Sequence, residues 1–204
     1  MATDLVDTPR GPARVQADDP DGPPRGLLVL GHGAGGGITA PDLVAVTDTA
    51  VRLGLAVRRV EQPYRVAGRR SPAPAGHLDE AWRAVLAALA PGLPGVPLVV
   101  GGRSAGARVA CRTAAATGAA AVLCLAFPVH PPGRPEKTRL PELDAVTVPV
   151  LVAQGDRDPF GMPPPAPGRT VVVVPGADHA LRRDLATVRG AVTAWLAELG
   201  VTGE

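Results

Sequence analysis

The sequence predicts an α/β fold, with a mostly parallel central sheet and helices packed on both of its faces. Short apolar segments alternate along the chain with longer segments whose apolar residues recur at helical spacing. The short segments are hydrophobic at successive positions, which is typical of strands that are buried on both faces. The 25 glycines and 24 prolines interrupt these segments and mark the turns between them.

Strands are assigned where apolar runs are bounded by glycine, proline or charged residues. The proline-rich stretch 1–25 is interpreted as an N-terminal extension with a possible edge strand at 13–17, and residues 26–204 as a single domain. Further strands are predicted at 26–30, 55–60, 97–102, 120–126, 148–153 and 170–174.

Helical segments separate these strands. Pro41 and Asp42 are typical of a first helical turn, and Leu43, Val46 and Ala50 then recur on one helical face. Helices are predicted at 41–53, 78–90, 107–115 and 180–199, with a short helical turn near 140–143. Because strands and helices alternate, the sheet should be parallel, and functional groups should gather on loops at the carboxyl ends of its strands.

Composition argues against several classes of protein. The chain has 204 residues and a net charge of +2, which gives no reason to expect a nucleic-acid or membrane-surface binder. Cys111 and Cys124 lie in apolar segments and are predicted to be reduced, buried thiols. No cluster of ligating residues has metal-site spacing. The first residues lack the features of a signal peptide and no run reaches transmembrane length, so we expect a cytoplasmic location.

Ser104 has the most informative surroundings in the chain. It is the central residue of Gly-Arg-Ser-Ala-Gly at 102–106, directly after an apolar run and directly before a predicted helix. Strand, tight turn and helix form the context in which the pattern Gly-x-Ser-x-Gly is a nucleophile elbow, and the glycines leave room for the sharp turn. The sequence therefore predicts that Ser104 is a nucleophile.

An acid and a histidine follow two later strands. Asp156 and Asp158 lie in the loop after the strand at 148–153, and His179 follows the strand at 170–174. A histidine can take the proton of a serine hydroxyl, and a carboxylate can orient that histidine. Asp158 is favoured because it lies farther around the turn, but the sequence leaves Asp156 open as the alternative. Asp178 is expected to order its own loop.

Backbone N–H groups for an oxyanion are predicted at two positions. One is Ala105, the residue after the nucleophile, and the other is Ala34 in the glycine-rich loop 31–37. The same loop matches the dinucleotide pattern Gly-x-Gly-x-x-Gly, but no helix opens directly at its glycines, which disfavours that interpretation. His32 in this loop is expected to be structural. Arg69, Arg70 and Arg103 could attract an anionic substrate, but the favoured interpretation is that they are solvated loop charges or that Arg103 forms a structural ion pair.

These motifs together resemble the small α/β-hydrolases without a cap domain. The segments that carry the resemblance are 32–36, 101–108, 154–161 and 178–179, with Pro63-Tyr64-Arg65 and Arg139 in addition. The sequence resembles the type grouped with testis-expressed protein 30 and the histone-acetyltransferase NSL complex subunit 3, and more distantly dienelactone hydrolase. Ala105 and Ala107 depart from the methionine and glycine that are frequent in that group. The resemblance implies an α/β-hydrolase fold, a triad of Ser104, Asp158 and His179, and no cofactor.

We therefore expect a serine hydrolase that cleaves small carboxylic esters or thioesters through an acyl-enzyme. Its partner would be a small acyl substrate, and the sequence leaves the natural substrate and the oligomeric state open. The alternative is a protein-interaction module with the same fold and a weak or inactive site. Reaction with an activity-based serine probe distinguishes the two hypotheses.

Overall fold

The computed structural model describes residues 2–201, and an eight-stranded sheet forms the centre of this region. The strands are β1 (Ala2–Val6), β2 (Ala13–Asp18), β3 (Gly26–Gly31), β4 (Leu55–Glu61), β5 (Leu98–Arg103), β6 (Ala121–Leu125), β7 (Val150–Gly155) and β8 (Arg169–Val174). Their spatial order is β1-β2-β4-β3-β5-β6-β7-β8. The pairings of β1 with β2 and of β2 with β4 are antiparallel, and all the others are parallel.

Helices cover both faces of this sheet. They are α1 (Pro41–Arg52), α2 (Pro63–Val66), α3 (Ala75–Leu89), α4 (Ala105–Thr113), α5 (Leu140–Asp144) and α6 (Leu185–Glu198). Pro41 occupies the first turn of α1, where its fixed φ angle suits a helix and its missing N–H is not needed. Asp184 caps α6 by accepting a hydrogen bond from the backbone N–H of Thr187 at 3.0 Å.

Two hydrophobic cores lie on opposite faces of the sheet. Along β3, Leu27 and Val29 face one core while Leu28 and Leu30 face the other, as the two-residue period of a strand requires. Helices α3 and α4 cover the first core, which contains Trp82. Helices α1 and α6 pack against each other over the second core. The predicted α/β fold with a mostly parallel sheet is therefore confirmed.

Several local predictions differ from the structure. The N-terminal stretch contributes two strands, because β1 pairs with β2 in addition to the expected edge strand. The helix predicted at 180–199 begins only at Leu185, since Leu181 adopts a φ of 55° and enters the core from a turn. Strand β8 at the sheet edge is half-exposed, with Val173 47% exposed, because no strand covers its outer side.

The carboxyl ends of the parallel strands meet along one edge of the sheet. The loops after β3, β5, β7 and β8 all leave from this edge, which brings the predicted functional residues together. Between Leu125 and Leu140 the chain forms neither a helix nor a strand, so no cap domain is inserted at this point. The edge is therefore open to solvent above the loops.

Candidate active site

Ser104 occupies the turn between β5 and α4. Its backbone has a φ of 53° and a ψ of −108°, and a positive φ is uncommon for a residue with a side chain. The Ser104 N–H donates to the carbonyl of Leu125 at 2.9 Å, and the Ser104 carbonyl accepts from the N–H of Arg108 at 3.2 Å. Backbone strain that is held in place by such contacts is concentrated at functional sites.

The three predicted side chains form a continuous hydrogen-bonded chain. Nε2 of His179 lies 2.9 Å from Oγ of Ser104, and Nδ1 of His179 lies 2.8 Å from Oδ2 of Asp158. The side chain of Asp158 is fully buried, while that of His179 is 19% exposed. A serine hydroxyl in this arrangement can pass its proton to the imidazole, and the carboxylate can fix the ring tautomer.

Asp158, not Asp156, contacts the histidine. Its Oδ1 accepts a hydrogen bond from the N–H of Phe160 at 2.8 Å, and its Oδ2 accepts one from Nε2 of Gln154 at 2.8 Å. These two donors hold the carboxylate in one orientation. Asp156 is in the turn directly after β7 and is exposed. The position farther around the loop is thus the one that reaches His179.

The imidazole ring is also held from its face and from its backbone. The ring of Phe160 stacks on that of His179, with centroids 4.1 Å apart and an interplanar angle of 29°. Asp178 accepts a hydrogen bond from the N–H of Ala180 at 2.9 Å, which orders the loop as the sequence predicted. The stacked ring excludes water from one face of the histidine and restricts its rotation.

Arg103 connects the histidine loop to a buried acid. Its Nη2 donates to the carbonyl of His179 at 2.9 Å, and its Nε forms an ion pair with Oδ2 of Asp42 at 2.9 Å. The expected structural ion pair of Arg103 is therefore confirmed. Burial raises the pKa of Asp42, and the charge of Arg103 offsets part of this shift. The guanidinium thus both compensates a buried carboxylate and positions His179.

Replacing Arg103 with glutamine is expected to destabilise the protein by about 3 kcal/mol, because it leaves the Asp42 carboxylate buried without its partner. Adding Asp42→Asn should restore most of this stability. The reactivity of Ser104 should stay about tenfold to a hundredfold low in both variants, since the His179 carbonyl has lost its donor. Thermal unfolding and the rate of labelling of Ser104 by a fluorophosphonate check this in the single and double variants. A normal labelling rate in the double variant would show that Arg103 has no positioning role.

The two residues predicted to bind an oxyanion through their backbone lie at the same cleft as Ser104. Ala34 and Ala105 both line it, and neither donates its N–H to a hydrogen bond within residues 2–201. The hydroxyl of Tyr64 donates to the carbonyl of Ala34 at 2.8 Å, which fixes the glycine-rich loop. Free N–H groups beside a nucleophile can stabilise an oxyanion.

His32 is a structural residue of the glycine-rich loop. It is 3% exposed, and its Nδ1 lies 2.8 Å from the carbonyl of Gly33. Its Nε2 accepts a hydrogen bond from the N–H of Gln62 at 3.1 Å. Burial lowers the pKa of His32, although the hydrogen bond to Gly33 opposes this. A neutral ring with its proton on Nδ1 satisfies both contacts, as the predicted structural role requires.

The cleft beside Ser104 has a volume of about 270 Å³. Its lining combines apolar side chains, the nucleophile and three arginines; these residues are Ala34, Pro72, Ala73, Ala75, Leu78, Ser104, Ala105, Arg108, Arg112, Pro128, Arg139 and Phe160. In the described part of the chain, no group of three or more histidine, cysteine or acidic residues is placed to hold a metal ion.

The two cysteines and the two remaining histidines take no part in the hydrogen-bonded chain of Ser104, His179 and Asp158. Cys111 and Cys124 are buried free thiols, as predicted, with their Sγ atoms 3.6 Å apart. Their mutual hydrogen bond, together with burial, raises the pKa of Cys124. His77 and His130 are half-buried and contact neither Ser104 nor Asp158. Among the helices of residues 2–201, none is both long and apolar enough to span a membrane.

Sequence reasoning missed three contributions to this site. The contacts of Gln154 with Asp158, of Phe160 with His179 and of Arg103 with the His179 carbonyl join segments that are close only in the folded chain. Gln154 and Phe160 lie within the segment 154–161 that carried the resemblance, so the motif contained them without showing their roles.

The chain belongs to the α/β-hydrolases, because the model of the alpha/beta hydrolase domain matches residues 24–189. A search of curated proteins finds no significant match. The resemblance to the testis-expressed protein 30 type remains a prediction.

Solved structures with very different sequences share the fold. An α/β serine hydrolase without a lid from Xanthomonas campestris has 23% identity and a TM-score of 0.78, over 97% of this chain and 94% of that one. Est1E from Butyrivibrio proteoclasticus has 18% identity and a TM-score of 0.79, over 99% and 100%. Dienelactone hydrolase from Anabaena variabilis has 18% identity and a TM-score of 0.74, over 97% and 96%. These likenesses confirm the fold.

Proposed function

We propose that the protein is a serine hydrolase that cleaves carboxylic esters or thioesters through an acyl-enzyme. The observation that carries the proposal is the hydrogen-bonded chain from Ser104 through His179 to Asp158, with distances of 2.9 and 2.8 Å. The free N–H groups of Ala34 and Ala105 beside the serine support it further. The relatives described as a serine hydrolase and as dienelactone hydrolase are consistent with such chemistry.

Acylation would begin with attack of the Ser104 oxygen on the carbonyl carbon of the substrate. Nε2 of His179 takes the hydroxyl proton as the new carbon–oxygen bond forms, and the carboxylate of Asp158 stabilises the resulting imidazolium. The carbonyl oxygen becomes an oxyanion, and the N–H groups of Ala34 and Ala105 stabilise its charge. Collapse of the tetrahedral intermediate breaks the bond to the alcohol or thiol, which leaves with the proton from His179.

Deacylation would repeat these steps with water as the nucleophile. His179 removes a proton from water, the hydroxide attacks the acyl carbon, and Ser104 departs with the proton returned by His179. The segment between β6 and α5 inserts no cap domain, so water can reach the acyl-enzyme from the open edge of the sheet. Small acyl groups suit a cleft of about 270 Å³.

A non-catalytic interaction module is the second candidate, but no specific observation favours it. Asp158 receives two hydrogen bonds in addition to that of His179, and the histidine is stacked, bonded and anchored through its backbone. A surface used only for docking gains nothing from such an arrangement. The strained backbone of Ser104, with its φ of 53°, would likewise lower the stability of such a module without contributing to binding.

A fluorophosphonate probe tests the proposal directly, since it forms a covalent bond only with an activated serine. The chain has two serines, Ser71 and Ser104, and Ser71 is exposed. We expect peptide mapping to find the probe on Ser104, and we expect labelling to be abolished by Ser104→Ala and retained by Ser71→Ala. If the wild-type protein unfolds with a normal thermal transition but is not labelled, the proposed function is refuted. The non-catalytic interaction module would then be the remaining hypothesis.

A further inference from the structure

Three arginines line the cleft that contains Ser104, and two of them are paired with acids. Arg108 binds Glu142 through two hydrogen bonds of 2.7 and 2.5 Å. Arg112 binds Asp79 through two hydrogen bonds of 2.9 and 2.6 Å and contacts Glu142 at 3.1 Å. The carboxylate of Glu142 is thus shared between the guanidinium groups of Arg108 and Arg112.

Arg139 is the third arginine, and its guanidinium has no partner among the described residues. It forms none of the ion pairs or side-chain hydrogen bonds found between residues 2 and 201. Its backbone is fixed, because its N–H donates to the carbonyl of Val129 at 2.7 Å. The side chain does not cap α5 either, although Arg139 directly precedes that helix. Arg139 is half-buried at the cleft wall.

The cluster of three arginines and two carboxylates carries an excess of one positive charge. Burial raises the pKa of Glu142, but its hydrogen bonds and charge interactions with Arg108 and Arg112 outweigh burial, and the net shift is downward. Glu142 therefore stays ionised near neutral pH, and with Asp79 it compensates two of the three arginines. Burial and the neighbouring charge of Arg108 lower the pKa of Arg139, and the charge of Glu142 opposes this only in part, so the Arg139 cation is less stabilised there than in water. An anion in the cleft would remove this penalty.

We propose that Arg139 is a specificity-determining residue that binds a carboxylate carried by the acyl substrate. This inference rests on the proposed serine hydrolase function. One surplus positive charge matches a single carboxylate, and the planar fork of a guanidinium binds a carboxylate through two parallel hydrogen bonds. The remaining lining is largely apolar and suits a short methylene chain. The substrate class is therefore a monoester or monothioester of a short dicarboxylic acid.

The cleft beside Ser104 is small, with a volume of about 270 Å³, which favours a short acyl chain such as that of glutarate. The para-nitrophenyl monoester of glutaric acid is accordingly a suitable probe. The para-nitrophenyl ester of pentanoic acid is its uncharged counterpart with the same acyl chain length.

The ratio of kcat/KM for these two esters measures the preference for the carboxylate. We expect wild-type protein to prefer the glutarate ester about tenfold or more, as a hydrogen-bonded charge pair allows. Arg139→Gln should bring the ratio close to one, mainly by raising KM for the glutarate ester. Arg139→Lys should retain an intermediate preference, because it keeps the charge without the fork. Arg134→Gln is the matched control, since Arg134 is exposed outside the cleft and its loss should leave the ratio unchanged.

A binding measurement separates failure of this inference from failure of the proposed function. Calorimetric titration of Ser104→Ala protein with glutarate requires no catalysis, and adding Arg139→Gln should weaken that binding at least tenfold. If neither ester is hydrolysed but this loss is seen, the anion site stands and the hydrolase proposal fails. The assignment of Arg139 is overturned by either of two results. One is a kcat/KM ratio of the two esters that Arg139→Gln does not change. The other is glutarate binding that is equally tight with and without Arg139→Gln.

Discussion

Replacing Ser104 with alanine lowers kcat for a short para-nitrophenyl ester by about a millionfold, if the three side chains act as a unit. The variant lacks the oxygen that would form the acyl-enzyme, and the hydrogen bond of 2.9 Å to Nε2 of His179 loses its donor. Residual catalysis would come from the free N–H groups of Ala34 and Ala105. Turnover is followed by release of para-nitrophenol in steady state and in a single-turnover burst.

The double variant Ser104→Ala, His179→Ala gives a sharper version of this experiment. Groups that work as one unit are grossly non-additive, so the double variant should be no slower than either single variant by more than about threefold. Ser71→Ala serves as the matched control, because it removes the chain's other serine from an exposed loop. A Ser104→Ala protein that retains even a tenth of wild-type kcat would show that another group is the nucleophile.

The sequence contained most of the information about the fold. Continuous apolar runs distinguish strands buried on both faces, and proline, aspartate and the spacing of apolar residues mark the helix at Pro41–Arg52. Strand β1 was missed because its sequence has no continuous apolar run, and Thr3, Asp4 and Leu5 are exposed, Leu5 by 63%. Its pairing with β2 depends on backbone hydrogen bonds, which leave little trace in a sequence.

The candidate site was predictable wherever local sequence determines where a residue lies. Ser104 is fixed by its flanking glycines, and the order of Ser104, Asp158 and His179 follows from three loops at one edge of the sheet. The choice between Asp156 and Asp158 depended on how the loop turns, which the hydrogen bonds of Gln154 and Phe160 determine. The sequence could not show that the Arg139 guanidinium lacks an ion pair, because this depends on the folded structure, in which Glu142 and Asp79 pair with Arg108 and Arg112.

The close approach of β3 to the serine turn leads to the largest expected effect on stability. A Cβ atom built on Gly106 would lie 2.3 Å from the carbonyl oxygen of Gly31 and 2.5 Å from its carbonyl carbon. Real Cβ atoms essentially never approach other atoms under 3.0 Å. Both neighbouring atoms belong to the backbone of a central strand, which cannot move aside as a flexible side chain would. The absence of a side chain at 106 is therefore what lets α4 start directly after Ser104.

We expect Gly106→Ala to lower the free energy of unfolding by about 3 kcal/mol or more, as overpacking against rigid backbone does. Gly190→Ala is the matched control: Gly190 lies within α6, and a Cβ built there meets no atom within 4 Å. Because alanine favours helix over glycine, this control should gain about 0.5–1 kcal/mol. Chemical denaturation of both variants measures the two changes. A Gly106→Ala protein as stable as wild type would mean that β3 and α4 can separate at the serine turn. Its rate of labelling by fluorophosphonate would then show whether the position of Ser104 tolerates that separation.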